Sequence, residues 1–335
     1  SAIVKPQDYF NTKLYTGNGS AGNAITGVGF QSDFSWIKNR AADWHILTDA
    51  VRGVTKQIYS NATSTEATDS TYMQSFNSDG FTLGTNADVN DSGNNYASWN
   101  WLAANGTAAN TAGSINTTVS VNTTSGFSIV KWTGNSTAGE TIGHGLGVTP
   151  KVVIIKRLTG SAQSWICKFP TATDGYLALD TTDAISASSG WLPVSNSLIT
   201  LANNWSAYNN NGNDFIAYCF ADVQGFSKFG SYTGNGSTNG PFIYTGFKPA
   251  FVMVKGTGNT EPWMILDNKR DTFNLASKGL FPNSSGAEVN NLNKGRDYLS
   301  NGFKLRSDSG GENASGLNYI YMAFAENPLV ANSGT

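Results

Sequence analysis

One phrase, an aromatic followed by Thr-Gly-Asn, occurs three times in this chain and limits what it can fold into. It reads Tyr15-Thr-Gly-Asn-Gly19-Ser20, Trp132-Thr-Gly-Asn135-Ser136 and Tyr232-Thr-Gly-Asn-Gly236-Ser237. The leading aromatics are 117 and then 100 residues apart, too far for a solenoid repeat and suited to a small β domain with its own core. Phe10, Phe127 and Phe226 precede the three copies. Downstream, each copy has a short apolar strand ending in lysine: Phe34-Ser-Trp-Ile-Lys38, Val152-Val-Ile-Ile-Lys156 and Phe251-Val-Met-Val-Lys255. Pro150 and Pro249 stand six residues before the lysine, with Ser32 at that place in the first copy. Trp44, Trp165 and Trp263 follow, and their recurrence predicts one shared core position. The outer copies continue to Asp49/Arg52 and Asp267/Arg270, pairs expected to brace a loop, and to Ser78-Asp-Gly-Phe-Thr-Leu83 or Ser300-Asn-Gly-Phe-Lys-Leu305. Each unit closes on aromatics five apart: Tyr96/Trp101, Phe215/Phe220 and Tyr319/Phe324.

These periods predict an all-β chain of three pseudo-repeats, tandem antiparallel β-sandwiches with jelly-roll or concanavalin-like connections. The units are residues 1–102 with a short N-terminal arm, 126–222 and 223–328, followed by a tail at 329–335. Residues 103–125 are nearly all Ala, Asn, Gly, Thr and Ser and read as a flexible or edge-strand linker. Only Ala221-Asp-Val-Gln-Gly225 joins the second and third units, which should therefore pack closely. Residues an odd number apart on a strand point to opposite faces, so the closing strands should be buried on both sides and central. No helical periodicity extends over twelve residues. With 37 Asn, 35 Ser, 34 Thr and 37 Gly, the composition favours turns and strands over helices.

The repeated Tyr-Thr-Gly-Asn-Gly-Ser, the pattern Gly-Phe-x-Pro-x-Phe-Val-x-Ile-Lys, Ser-Asp-Gly-Phe-x-Leu and Tyr-x-Ala-Trp/Phe together resemble a virion protein family of tailed bacteriophages, frequent in marine and cyanobacterial phages. The likeness runs from about Lys5 to Pro328 and includes Ile3-Val-Lys-Pro-Gln-Asp-Tyr-Phe10 and Tyr321-Met-Ala-Phe-Ala-Glu-Asn-Pro328. The resemblance implies a structural, often tail-fibre-like virion protein with concanavalin-like sandwiches and no catalytic residues. The first unit departs from the pattern, with Gln31-Ser-Asp33 where the others place proline.

Charge and motif content exclude several other classes. Charged residues are only 13% of the chain and the net charge is −2. No Lys/Arg cluster marks a phosphate-backbone footprint, so no nucleic-acid partner is expected. No apolar run approaches a membrane span, and Ser1-Ala-Ile-Val-Lys-Pro6 has no signal-peptide core. Cys167 and Cys219 sit in apolar runs and read as buried free thiols. Gly17-Asn-Gly19-Ser-Ala-Gly22 matches the dinucleotide fingerprint in letters, but no helix follows to hold a pyrophosphate. A hairpin turn accounts for it better.

Catalytic constellations are sparse. His45 and His144 lie in different units at non-equivalent places, without a nucleophile elbow or zinc spacing. The glutamates Glu66, Glu140, Glu261, Glu288, Glu312 and Glu326 are scattered and form no Glu-x-Asp-x-x-Glu strand of the kind lectin-like glucanases carry. Calcium is the one cofactor worth testing, with hard oxygens from Asp88, Asn90 and Asp91 around a glycine turn; Trp99 stands where an EF-hand needs glutamate. Similar loops run from Asn209 to Asp214 and from Asp308 to Asn313. Trp191 and Trp205 have no counterparts in the other units and are the candidates for a sugar-stacking platform.

The expectation is a non-enzymatic phage virion surface protein, head-decorating or a tail-associated knob, spike or fibre-like module, contributing to host-surface adhesion. Its partners would be further copies of itself, other virion proteins and a host glycan. The rival readings are a secreted carbohydrate-binding module array and an atypical glycan depolymerase.

Overall fold

The computed structural model describes residues 5–171, 175–187, 192–291 and 294–326. Strand makes up 43% of the chain and helix 3%, so the core is built from sheets. Each of the three units predicted from the sequence contributes one large antiparallel sheet with the same internal order. The opening strands (Phe10–Thr16, Phe127–Thr133, Ser227–Thr233) pair with the closing strands (Asn95–Trp101, Asp214–Phe220, Asn318–Ala325). The closing strands pair in turn with the lysine strands (Phe34–Asn39, Val152–Arg157, Pro249–Gly256), which pair with fourth strands at His45–Asp49, Ile166–Lys168 and Met264–Asp267.

The closing strand is therefore central in every large sheet. Its two aromatics lie on opposite faces, as their odd spacing requires. Tyr96, Phe215 and Tyr319 enter three separate cores, one beneath each unit's smaller sheet. The smaller sheets are Asn23–Thr26 with Gly80–Leu83 and Met73–Asn77; Glu140–Gly143 with Leu198–Leu201; and Phe242–Tyr244 with Gly302–Leu305 and Arg296–Leu299.

Trp101, Phe220 and Phe324 point the other way, into one core to which all three units contribute. Their rings form a triangle: Trp101–Phe220 6.1 Å, Trp101–Phe324 5.5 Å and Phe220–Phe324 5.9 Å, tilted by 63°, 71° and 65°. Edge-to-face geometry lets three quadrupoles meet without repulsion. The expectation of a self-contained core per unit is thus corrected: each unit owns one core and shares a second. An isolated large sheet would expose its inner aromatic face, so the second core is what joins the units.

Backbone hydrogen bonds close the arrangement in a ring. Glu66 N–H donates to the Leu158 carbonyl (3.0 Å), Ile185 N–H to Thr257 (2.8 Å) and Glu288 N–H to Arg40 (2.8 Å). Arg40, Leu158 and Thr257 each lie two residues past the repeat lysine, so the contacts run from first unit to second, second to third and third back to first. Part of the stretch read as a linker, 103–125, forms strands Ala108–Asn110 and Thr117–Asn122, which extend the second unit's large sheet at its opening-strand edge. The tail at 329–335 lies outside the described residues.

Candidate functional site

The recurring phrase is a fastening, and its partner is an asparagine ahead of each closing strand. Asn90, Asn209 and Asn313 are fully buried. Their side-chain oxygens accept from the backbone N–H of Asn18 (2.9 Å), Asn135 (3.1 Å) and Asn235 (2.8 Å). Their amide groups donate to carbonyls of Ser20 and Gly84, of Thr137, and of Ser237 and Ser307. The aromatic that opens the phrase reaches the carbonyl just before the asparagine: Tyr15 hydroxyl to Val89, Trp132 indole N–H to Tyr208, and Tyr232 hydroxyl to Glu312. The glycine is required because a Cβ at Gly17, Gly134 or Gly234 would come within 2.2, 2.6 or 2.3 Å of a carbonyl oxygen. Burying an amide side chain is tolerable only when its donors and acceptor are paired, and here they are.

That geometry bears on the calcium candidates. Asn90 spends its oxygen on Asn18 and Asn23. Asp88 accepts the Tyr72 hydroxyl (2.6 Å), and Asp91 accepts the side chain of Asn94 (2.7 Å). Among the described residues, no group of three or more His, Cys, Asp or Glu is arranged to hold a metal ion.

A second recurring feature is the lysine. Lys38, Lys156 and Lys255 are fully buried. Lys156 donates to the carbonyls of Thr63 (2.9 Å) and Gln163 (2.6 Å), and Lys38 to Asn39 (2.7 Å), Asp43 (2.9 Å) and, across a unit boundary, Ser285 (3.4 Å). Lys255 donates to Gly256 (2.7 Å) and Asn259 (3.1 Å). Burial disfavours the ammonium and pushes all three down to about 8.

Strand register corrects one expectation here. Lys38 pairs with His45, whereas extending the registers of the other units sets Lys156 opposite Trp165 and Lys255 opposite Trp263. His45, not Trp44, therefore occupies the tryptophan's place. Trp165 donates its indole N–H to the Tyr59 carbonyl of the first unit (2.9 Å), and Trp263 donates to Ala178 of the second (2.8 Å). His45 accepts the Trp36 indole N–H on Nδ1 (2.9 Å). Its burial, reinforced by nearby Lys38, holds the imidazole neutral. Trp44 is 43% exposed and lies against Tyr59.

The remaining titratable candidates are also engaged. Asp49–Arg52 (2.5 Å) and Asp267–Arg270 (2.6 Å) are buried pairs, and each arginine also meets a glutamate, Glu66 (3.4 Å) or Glu288 (3.1 Å). Each aspartate caps the turn that follows it, and each pair reaches a neighbouring unit: Tyr218 donates its hydroxyl to Asp49 (2.7 Å), and Trp99 its indole N–H to Asp267 (3.1 Å). In the second unit Phe169 stands at the aspartate's register position and Ile185 at the glutamate's, so both of those places are apolar there. Glu312 is buried against Arg296 (2.8 Å). Glu261 and Glu326 face Lys294 (4.0 Å) and Lys248 (2.7 Å), and Glu140 accepts from Ser114. His144 is buried, bonded to the Ser195 carbonyl (3.2 Å) and to Leu146 N–H (3.3 Å). Cys167 and Cys219 are free and buried, and burial raises both thiols, which keeps them protonated.

The second unit carries a cleft of about 400 Å³. Trp205 and Tyr176 form its aromatic wall (5.0 Å between rings), with Gln163, Ser164, Thr181 and Asp183 supplying polar groups. Buried Tyr208 braces Trp205 edge-on at 5.6 Å. Asn203 fixes both residues by accepting the Trp205 backbone N–H (2.9 Å) and the Tyr208 hydroxyl (2.6 Å). Trp191, the other predicted platform residue, lies outside the described residues.

The chain belongs to the family described as a domain of unknown function, DUF7483. The match covers residues 5–328. No curated protein and no solved structure matches it. In this DUF7483 chain Trp205 lines the cleft just described, whereas sequence reasoning missed Asn90, Asn209 and Asn313 as buried fastenings. Their signal was available: each stands six residues before the first aromatic of a closing strand.

Proposed function

We propose that the chain is three copies of one β-sandwich closed around a common aromatic core, and that it serves as a non-enzymatic component of a bacteriophage virion surface. It would decorate the head or form a tail-associated knob or spike, in several copies, and contribute to host adhesion. The observation that carries this reading is where the repeated side chains are used. The lysines, fastening asparagines and closing aromatics all serve turns, sheets or the joints between units, so what was multiplied is a rigid scaffold. A scaffold of that kind suits presentation of weak contacts in many copies, where linkage raises effective concentration.

Gold-labelled antibody against the protein, applied to intact particles carrying its gene, tests the assignment. Surface label at a fixed location is the expected result. Label only after particle disruption, or none, would refute it and favour the secreted binding-module reading. A reducing-sugar assay on host polysaccharide should show no release; sustained release would revive the depolymerase.

A further inference from the structure

The three units are wired alike, and the second carries the aromatic-walled cleft described above. The cause is visible once the registers are aligned. The Ile46↔Tyr59 pair of the first unit corresponds to Ile166 facing Ala178 in the second and Met264 facing Phe281 in the third. Likewise Trp44, one residue before His45, corresponds to Ser164, one residue before Trp165. In the first unit Trp44 packs on Tyr59 at 5.4 Å, and in the third Lys294 lies over Phe281 at 5.9 Å. The second unit puts Ser164 and Ala178 there, and the vacated volume is the cleft bounded by Trp205 and Tyr176.

We propose that this cleft is a carbohydrate-binding site of the second unit, taking a neutral pyranose against Trp205, an assignment that rests on the adhesive reading above. Three properties define the ligand class. A partly buried indole held in place by Tyr208 and Asn203 is a preorganised flat apolar surface, which matches the C–H face of a sugar ring. Gln163, Thr181 and the exposed Asp183 supply amide, hydroxyl and carboxylate groups for sugar hydroxyls. Among the described residues, those lining the cleft include one carboxylate and no Lys or Arg, so an anionic sugar such as a sialate is rejected. A volume of about 400 Å³ is at the small end of ligand pockets and suits a mono- or disaccharide.

Saturation-transfer NMR on the full chain tests this, using glucose, galactose, N-acetylglucosamine, maltose and lactose as probes, with N-acetylneuraminate as the anionic control. At least one neutral sugar should receive transfer. Binding should weaken by at least about tenfold in Trp205→Ala and in Ala178→Phe, the latter installing the third unit's residue and leaving the indole in place. The thermal midpoint of Ala178→Phe should stay at the wild-type value, which separates loss of the site from loss of the fold. The site is refuted if no neutral sugar gives transfer, if a folded variant binds as wild type does, or if N-acetylneuraminate binds as well as the neutral sugars. Particle labelling is read separately: a labelled particle with a non-binding cleft removes the sugar site and leaves the surface role standing, and sugar binding without label does the reverse.

Discussion

Phe220→Ala addresses the shared core directly. Phe220 is 2% exposed and touches rings from all three units: Phe127 at 4.8 Å, Phe324 at 5.9 Å, Phe229 at 6.0 Å and Trp101 at 6.1 Å. Truncating a buried phenylalanine costs about 3–5 kcal/mol, depending on how far the site collapses. Collapse is opposed here because the surrounding rings sit on three sheets tied by backbone bonds, and the truncation cost already includes the lost aromatic pairs, each worth roughly 0.5–1.5 kcal/mol. The cost should therefore lie near the upper end, about 4–5 kcal/mol. Urea denaturation followed by tryptophan fluorescence and far-ultraviolet circular dichroism provides the measurement. Trp99, Trp101, Trp165 and Trp263, from all three units, share this core, so both probes should show one coincident transition, displaced to lower urea in the variant. A cost below about 1 kcal/mol, far under the truncation range, or a wild-type unfolding that splits into separate steps, would refute the shared core.

Gly134→Ala should destabilise severely or prevent folding, because its Cβ would sit 2.6 Å from the Asn210 carbonyl oxygen. Gly106→Ala, with nothing within 4 Å, should shift the thermal midpoint little. Asp267→Ala leaves Arg270 buried without its closest carboxylate and should cost about 3–5 kcal/mol by chemical denaturation; a neutral outcome would mean that Glu288 alone satisfies it. The buried lysines have folded values lowered from 10.5 to about 8. Between those limits the unfolded chain binds more protons than the folded one, so stability rises with pH, by up to about 1.4 kcal/mol per pH unit for each lysine. The window closes near pH 10, where unfolded tyrosines ionise and buried ones such as Tyr15 and Tyr232 resist. Denaturation midpoints at pH 8 and 9.5 should show the rise, and Lys156→Met should remove about a third of it, leaving the shares of Lys38 and Lys255; a flat wild-type profile contradicts the assignment.

Local wiring was legible in the sequence. The odd spacing of Phe215 and Phe220 fixed opposite faces, and with them a central strand, because side-chain alternation is a property of any extended backbone. The Asp49/Arg52 and Asp267/Arg270 spacing announced braced turns, and the apolar settings of Cys167 and Cys219 announced burial. Each of these depends on neighbours a few residues away. What covers the inner face of each large sheet does not: Trp101, Phe220 and Phe324 are more than 100 residues apart in sequence and meet only when three sheets close on one another. Register was equally out of reach. Counting residues aligns Trp44 with Trp165 and Trp263, but pairing across from the lysine selects His45, because cross-strand hydrogen bonds and not linear spacing decide which side chains face each other. In the sequence the fastening asparagines look like candidate calcium-loop or turn residues, since a polar residue's burial is decided by the distant amides that reach it. Trp205 stood out in the sequence as a tryptophan without counterparts; the cleft beside it exists because Ser164 and Ala178 are small where the first unit carries Trp44 and Tyr59, a deficit of volume that only the folded register turns into a cleft.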